Sequence, residues 1–226
     1  MKYKAVLFDL DDTLLDFDAG NRIAVNTLMD EIGYFDKDRY DQYEEINSMC
    51  WSALEKGELT IEELRPKRLE IFFEKYGVKA DLNKAVERFE ELLGQQSILF
   101  SDSEEVLKKI SNILPVGIIT NGIKHIQRNR LSKSVIMNYV SCLVISDEIG
   151  VTKPNKEIFE YALKQMNVKA DECLMIGDGI YSDVLGANNT GIDMCYLNKN
   201  NKSLPEGISC KYMIKELKDC VDIALS

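Results

Sequence analysis

The chain has a single histidine, no C-x-x-C pair, no G-x-S-x-G element and no apolar run long enough to span a bilayer. Each absence removes a class. Without clustered His and Cys there is no metal-ligand spacing for zinc and no redox dithiol. Without the G-x-S-x-G turn there is no sign of a serine hydrolase. The opening Met1–Asp16 reads MKYKAVLFDLDDTLLD, and acids break its apolar run before it can act as a signal-peptide core. A soluble, cytoplasmic protein is therefore expected, with no membrane partner.

Basic side chains are also scarce, 28 against 38 acidic ones, and the net charge of -10 argues against nucleic acid or anionic lipid as a partner. A local pocket holding a divalent cation can still bind a small anion, because the ion inverts the local field. The six cysteines stand far apart, and Cys142 and Cys173 lie inside apolar runs, so all six read as reduced structural thiols. With 45% hydrophobic and 29% charged residues the chain is a folded globular protein, with no internal repeat or low-complexity tract.

What is present is a series of short apolar runs at 5–8, 115–120, 142–145, 173–177 and 193–197. Their length, their Val, Ile and Leu content and their flanking turn residues predict buried strands of a parallel sheet. Helical spacing at 102–112, 122–132, 155–167 and 181–190 supplies the crossovers, which gives an α/β, doubly wound, mostly parallel Rossmann-like sheet. Between the first and second strands lie some eighty residues with no strand pattern, where helices are predicted at 18–32, 38–55, 60–76 and 81–96. That exceeds what a crossover needs. The expected organisation is a catalytic core of residues 1–16 and 101–226 with an all-helical cap at 17–100.

The first strand runs into Asp9-Leu10-Asp11-Asp12-Thr13. Extended alternation puts Asp9 and Asp11 on one side and Asp12 on the other. Like charges this close favour a shared cation or a proton on one partner, and the carboxyl edge of an open α/β sheet is where ligands bind. One carboxylate can then attack phosphorus while the other handles a proton. Alone, the acids could equally cap the next segment. Three later strand ends add Thr120-Asn121-Gly122, Val151-Thr152-Lys153-Pro154-Asn155 and Gly177-Asp178-Gly179-Ile180-Tyr181-Ser182-Asp183. Together they offer a hydroxyl and amides for an anion, a cation and further acids.

These four motifs, in this order, resemble the haloacid dehalogenase superfamily across essentially the whole chain. The resemblance implies that Asp9 is the nucleophile and Asp11 the general acid and base. Thr120, Asn121 and Lys153 would bind phosphate. Magnesium would be held by Asp9, the Asp11 main-chain carbonyl and Asp178, with Asp183 orienting metal-bound water or Lys153. The dehalogenases of the superfamily lack the second aspartate, so Asp11 favours phosphoryl chemistry.

The segments 143–159 and 188–195, with Asn47-Ser48-Met49-Cys50-Trp51, are similar to pyrimidine nucleoside 5′-monophosphate phosphatases. The implied substrate is a small phosphate ester, a nucleoside monophosphate. Trp51 could stack on a base and Arg65 or Arg68 could meet phosphate or sugar, against core packing for Trp51 and a solvated helix face for the arginines. His125 reads as a helix-surface or locally hydrogen-bonded residue. A phosphosugar phosphatase or mutase, and a catalytically silent binding module with the same fold, are the alternatives. The sequence carries no signal for oligomeric state.

Overall fold

The computed structural model describes residues 1–226, apart from the side chain of Glu55. Six strands form the sheet: β1 (Ala5–Phe8), β2 (Val116–Thr120), β3 (Cys142–Ile145), β4 (Cys173–Gly177), β5 (Asp193–Leu197) and β6 (Tyr212–Ile214). Their order is β3-β2-β1-β4-β5-β6, and every pair is parallel. The three central strands are buried at every residue, which is why they read as continuous apolar runs.

Alternation along β1 divides the core. Val6 and Phe8 pack with Val116, Ile118, Leu174 and Ile176 on one face, while Ala5 and Leu7 pack with Ile119, Val144 and Met175 on the other. The first face is covered by α5 (Ser103–Ser111) and α10 (Cys220–Leu225), the second by α8 (Lys156–Met166) and α9 (Leu185–Thr190). Burying each Leu, Ile or Val contributes about 1.5–3 kcal/mol against conformational entropy. The sheet is thus doubly wound, as expected.

Four helices separate β1 from α5: α1 (Phe17–Glu31), α2 (Arg39–Glu55), α3 (Ile61–Tyr76) and α4 (Leu82–Gly94). Local chemistry fixes their starts. Asp16 and Asp81 accept the backbone N–H groups of Ala19 and Lys84, and Thr60 forms a reciprocal capping box with Glu63. Each such cap is worth about 1 kcal/mol. Their apolar faces form one cluster around Leu28, Tyr43, Leu69, Phe72 and Phe89. That cluster also takes in Ile123 and Ile126, at the start of α6 (Lys124–Ser132), so the insert rests on a core helix. The short α7 (Ser146–Ile149) follows β3 directly.

The sequence patterns missed β6 and α10. β6 is a three-residue edge strand with Met213 exposed, and such strands carry little apolar alternation. The helix expected over 181–190 begins instead with a π-helical turn at Ile180–Val184, a geometry common at functional sites. No described helix is long and apolar enough to cross a membrane.

Candidate active site

β1 and β4 are neighbours whose onward connections run to opposite sides of the sheet, and a crevice opens at such a switch point. Asp9 and Asp178 follow directly on these two strands. The Asp9 N–H donates to the Ile176 carbonyl (2.9 Å), which extends the ladder one step past β1. There the extended chain ends. Leu14 and Leu15 both donate to the Leu10 carbonyl, and Asp12 takes φ of 60°, so a tight turn rather than strand alternation aims the acids. Asp9, Asp11 and Asp12 all border one cavity of about 370 Å³. Asp12 also accepts the Phe17 N–H (3.2 Å) where α1 begins.

Lys153 is buried and reaches the cavity from the loop before α8, with Nζ 2.5 Å from Asp9 Oδ1 and 2.7 Å from Asp183 Oδ1. A third donation goes to the Ile119 carbonyl at 3.1 Å. All three ammonium hydrogens are used, which such a group needs away from water. Burial pulls the Lys153 ammonium down, but Asp183 and Asp9 outweigh it and hold the lysine above its ordinary value. Asp183 turns back toward β4, where its Oδ2 accepts the Gly179 N–H at 2.9 Å. A Cβ on Gly177 would lie 2.4 Å from that same oxygen, so the Gly-Asp-Gly sequence leaves room for Asp183.

One buried cation faces several acids here. Burial, opposed by Lys153 and reinforced by Asp183 and Asp178, lifts Asp9 well above the ordinary carboxylate range. Burial and the neighbouring Asp183 push Asp178 up to about 6, and burial with Asp178 and Asp11 pushes Asp12 to about 7. Carboxylates held this high lack positive charge, and a divalent cation would supply it. Ligand oxygens of Asp9, Asp178 and Asp183 fall within 4.8 Å of one another. The donors are hard oxygens, which suits magnesium rather than zinc. Both Asp183 oxygens are engaged by Lys153 and Gly179, whereas Asp178 gives one oxygen to Thr13 (3.2 Å) and keeps the other. Asp9 and Asp178 are the better placed ligands.

Thr120 ends β2 as a buried residue, and its Oγ1 accepts from Gln127 Nε2 at 2.9 Å. Asn121 spends its amide on the Lys153 backbone, donating to its carbonyl (2.9 Å) and accepting its N–H (2.8 Å). The Asn121 side chain therefore braces the lysine loop. Two residues of α6 that sequence patterns passed over complete this side. Gln127 donates to Asp11 Oδ2 (2.8 Å), and Arg130 places Nη1 2.6 Å from Asp11 Oδ1, a close ion contact rather than an aligned hydrogen bond. The available signal was polar residues within the buried stripe Ile126, Gln127, Arg130 and Leu131.

The cavity continues under the insert, where Glu44, Asn47, Ser48, Trp51 and Arg68 line it. Trp51 is half-buried against the helical cluster and also faces the cavity, so packing and lining coexist. Arg68 departs from the solvated helix face: it is 1% exposed, lies over the Phe89 ring at 4.7 Å and donates to Asn47 Oδ1 at 3.3 Å. Among the described residues it has no carboxylate within ion-pair distance, and its Nε and Nη2 lack partners. Arg65 instead pairs with Glu90 (2.6 Å), whose other oxygen meets His125 Nε2 at 2.9 Å. His125 is thus locally hydrogen-bonded.

Comparison with known proteins identifies the family. A family model described as haloacid dehalogenase-like hydrolase matches residues 3–191. The chain is 33% identical over 220 residues to the pyrimidine 5′-nucleotidase YjjG of Escherichia coli, covering 97% of this chain and 96% of that one. It is 33% identical over 228 residues to the pyrimidine 5′-nucleotidase PynA of Streptococcus pneumoniae, covering 98% and 96%. Among solved structures, the HAD-hydrolase YfnB of Bacillus subtilis, described as bound to magnesium and as revealing interdomain movement, superposes with a TM-score of 0.92 at 29% identity over 99% of both chains.

Proposed function

Because the chain belongs to the haloacid dehalogenase-like hydrolases, we propose that it hydrolyses phosphomonoesters with magnesium, and that pyrimidine nucleoside 5′-monophosphates are its substrates. One observation carries the phosphoryl part: buried Lys153 joins Asp9 to Asp183 beside Asp178, in a chain that keeps Asp11. The nucleotide part is supported by the two pyrimidine 5′-nucleotidases to which the chain is similar over nearly its full length.

In this reading residues 17–100 form a cap over a core of residues 1–16 and 101–226. An Asp9 carboxylate oxygen bonds to phosphorus as the P–O ester bond breaks. The leaving oxygen keeps the electron pair and takes a proton from Asp11. Water then bonds to phosphorus and gives its proton to Asp11, and cleavage of the acyl phosphate returns the Asp9 carboxylate and inorganic phosphate. The Thr120 hydroxyl and the Asn121 backbone N–H bind the nonreacting oxygens, Lys153 neutralises the charge shared by phosphate and nucleophile, and Asp183 orients Lys153. Magnesium, held by Asp9, the Asp11 carbonyl and Asp178, would supply the charge that neutralises the phosphate. Trp51 and Arg68 face the nucleoside, and the unpartnered Arg68 donors suit its oxygens.

The expected result is release of phosphate from uridine or thymidine monophosphate with magnesium, and a fall of at least about 10³-fold in kcat for Asp9→Asn. Full turnover by that variant refutes the mechanism. Isomer formation from a sugar phosphate without phosphate release would identify a mutase instead.

A further inference from the structure

We infer that Arg130 is a positioning residue that fixes the aim of Asp11 and ties it to both points where the chain passes between sheet and helical insert. The inference rests on the acid and base role given to Asp11 above. Arg130 is buried at 2% exposure, on the face of α6 turned toward the cavity. Its Nη1 stands 2.6 Å from Asp11 Oδ1 and donates to Gln127 Oε1 at 2.8 Å. Its Nε donates to the Gln96 carbonyl at 2.9 Å, and its guanidinium carbon lies 5.4 Å from the centre of the Phe17 ring.

Phe17 opens α1, and Gln96 lies just past the end of α4. These are the outgoing and returning crossings, joined to each other by the Asp16 N–H donating to the Ile98 carbonyl (2.8 Å). One side chain therefore touches both crossings and the proposed acid. Gln127 completes the bracket by donating from Nε2 to Asp11 Oδ2 (2.8 Å) and to Thr120 Oγ1 (2.9 Å). A Cβ at Gly122 would meet Gln127 side-chain atoms at 2.5–2.8 Å, so glycine there makes room for the bracket.

Burying a guanidinium is costly unless its charge and donors are matched, and its planar fork meets the Asp11 carboxylate as an ion contact while it donates to the Gln127 and Gln96 oxygens. A lysine would keep the charge and lose that geometry. Any displacement of Phe17 or Gln96 acts on the group that holds Asp11, so the position of the insert and the aim of the acid are set together. The aim matters most when the departing oxygen must take a proton as the P–O bond breaks. A nucleoside alkoxide needs that proton; a nitrophenolate leaves without it.

The test compares Arg130→Lys and Arg130→Met with wild type, using uridine monophosphate and p-nitrophenyl phosphate with magnesium. Because kcat/KM reports the first phosphoryl transfer, it should fall about 30- to 100-fold for the nucleotide and less than about threefold for the aryl ester. KM should change less than about twofold. Hydrogen exchange at the backbone amides of residues 16–20 and 96–99 should quicken in both variants. Equal losses on both esters would mark a merely structural residue, and an unchanged nucleotide rate or unchanged exchange would also overturn the inference. If wild type turns over neither ester, the phosphatase reading fails on its own, and the exchange measurement still decides whether Arg130 ties the crossings.

Discussion

The two ends of the sheet handle their acids in opposite ways. At the amino end of β5, Asp193 receives Lys2, Tyr3 and Lys211 on a single oxygen. At the carboxyl ends of β1 and β4, Asp9 and Asp183 share the ammonium of Lys153, and Asp178 stands beside them with no cation of its own among the described residues. Burial pushes Asp193 up, but the hydrogen bonds from Lys2, Lys211 and Tyr3 outweigh it and hold the carboxyl at about 2. Asp178, also pushed up by burial but with Asp183 as its next neighbour, stands at about 6. One end uses charge to hold the fold together. The other keeps acids short of positive charge, and a bound cation would meet that demand.

The contrast breaks most sharply at Lys153. Replacing it with methionine leaves Asp9 and Asp183 buried without their cation, and should cost about 3–5 kcal/mol of stability besides abolishing turnover. Urea denaturation of metal-free protein would measure the loss. A stable Lys153→Met protein at pH 7 would show that the acids do not depend on it. A smaller effect of opposite sign is expected at Asp178. Its folded pKa of about 6 lies above the unfolded value of 3.8, so the folded state binds the extra proton between these limits. Stability is then present at low pH and lost as pH rises through about 6. Asp178→Asn should therefore stabilise the metal-free protein at pH 7 by about 1–2 kcal/mol, with the gain vanishing near pH 4, while the magnesium needed for half-maximal activity rises. Equal stability of the two proteins at pH 7 would remove the conflict from the carboxyl end.

Much of the carboxyl end was legible in the sequence because its residues sit where apolar runs stop. β1, β3, β4 and β5 fall on the predicted runs residue for residue, and β2 differs only in starting at Val116. A central parallel strand is buried on both faces and leaves an unbroken apolar signature. The acids, Thr120 and Lys153 then stand out as punctuation. What did not show was chemistry carried by helices. Gln127 and Arg130 fall inside the helix predicted over 122–132, and nothing local says that Asp11, from more than a hundred positions earlier, will fold against them. For the same reason sequence alone leaves Arg68 between a substrate contact and a solvated helix face, and only the packing of α2, α3 and α4 around it makes it a buried cation beside the cavity. The turn that aims Asp11 depends on positive φ at Asp12, which an aspartate adopts readily but does not announce.

The amino end gives the mildest prediction and the reverse pH dependence. Asp193 has a folded pKa of about 2, below its unfolded 3.8, so its contribution is present above the unfolded value and lost as pH falls toward 2. The group is partly open to solvent and its lysine partners are largely exposed, which limits the gain to about 0.5–1 kcal/mol. Asp193→Asn should lower the thermal midpoint at pH 7, match wild type at pH 2, and leave phosphate release unchanged, since the residue lies at the opposite end of the strands from Asp9. Salt should shrink the difference further, because the ion pairs at this end are screened. If Asp193→Asn instead stabilised the protein at pH 7, as Asp178→Asn is expected to do, the two ends would not differ in kind, and the raised acids at the carboxyl end would reflect burial alone rather than a site lacking its cation.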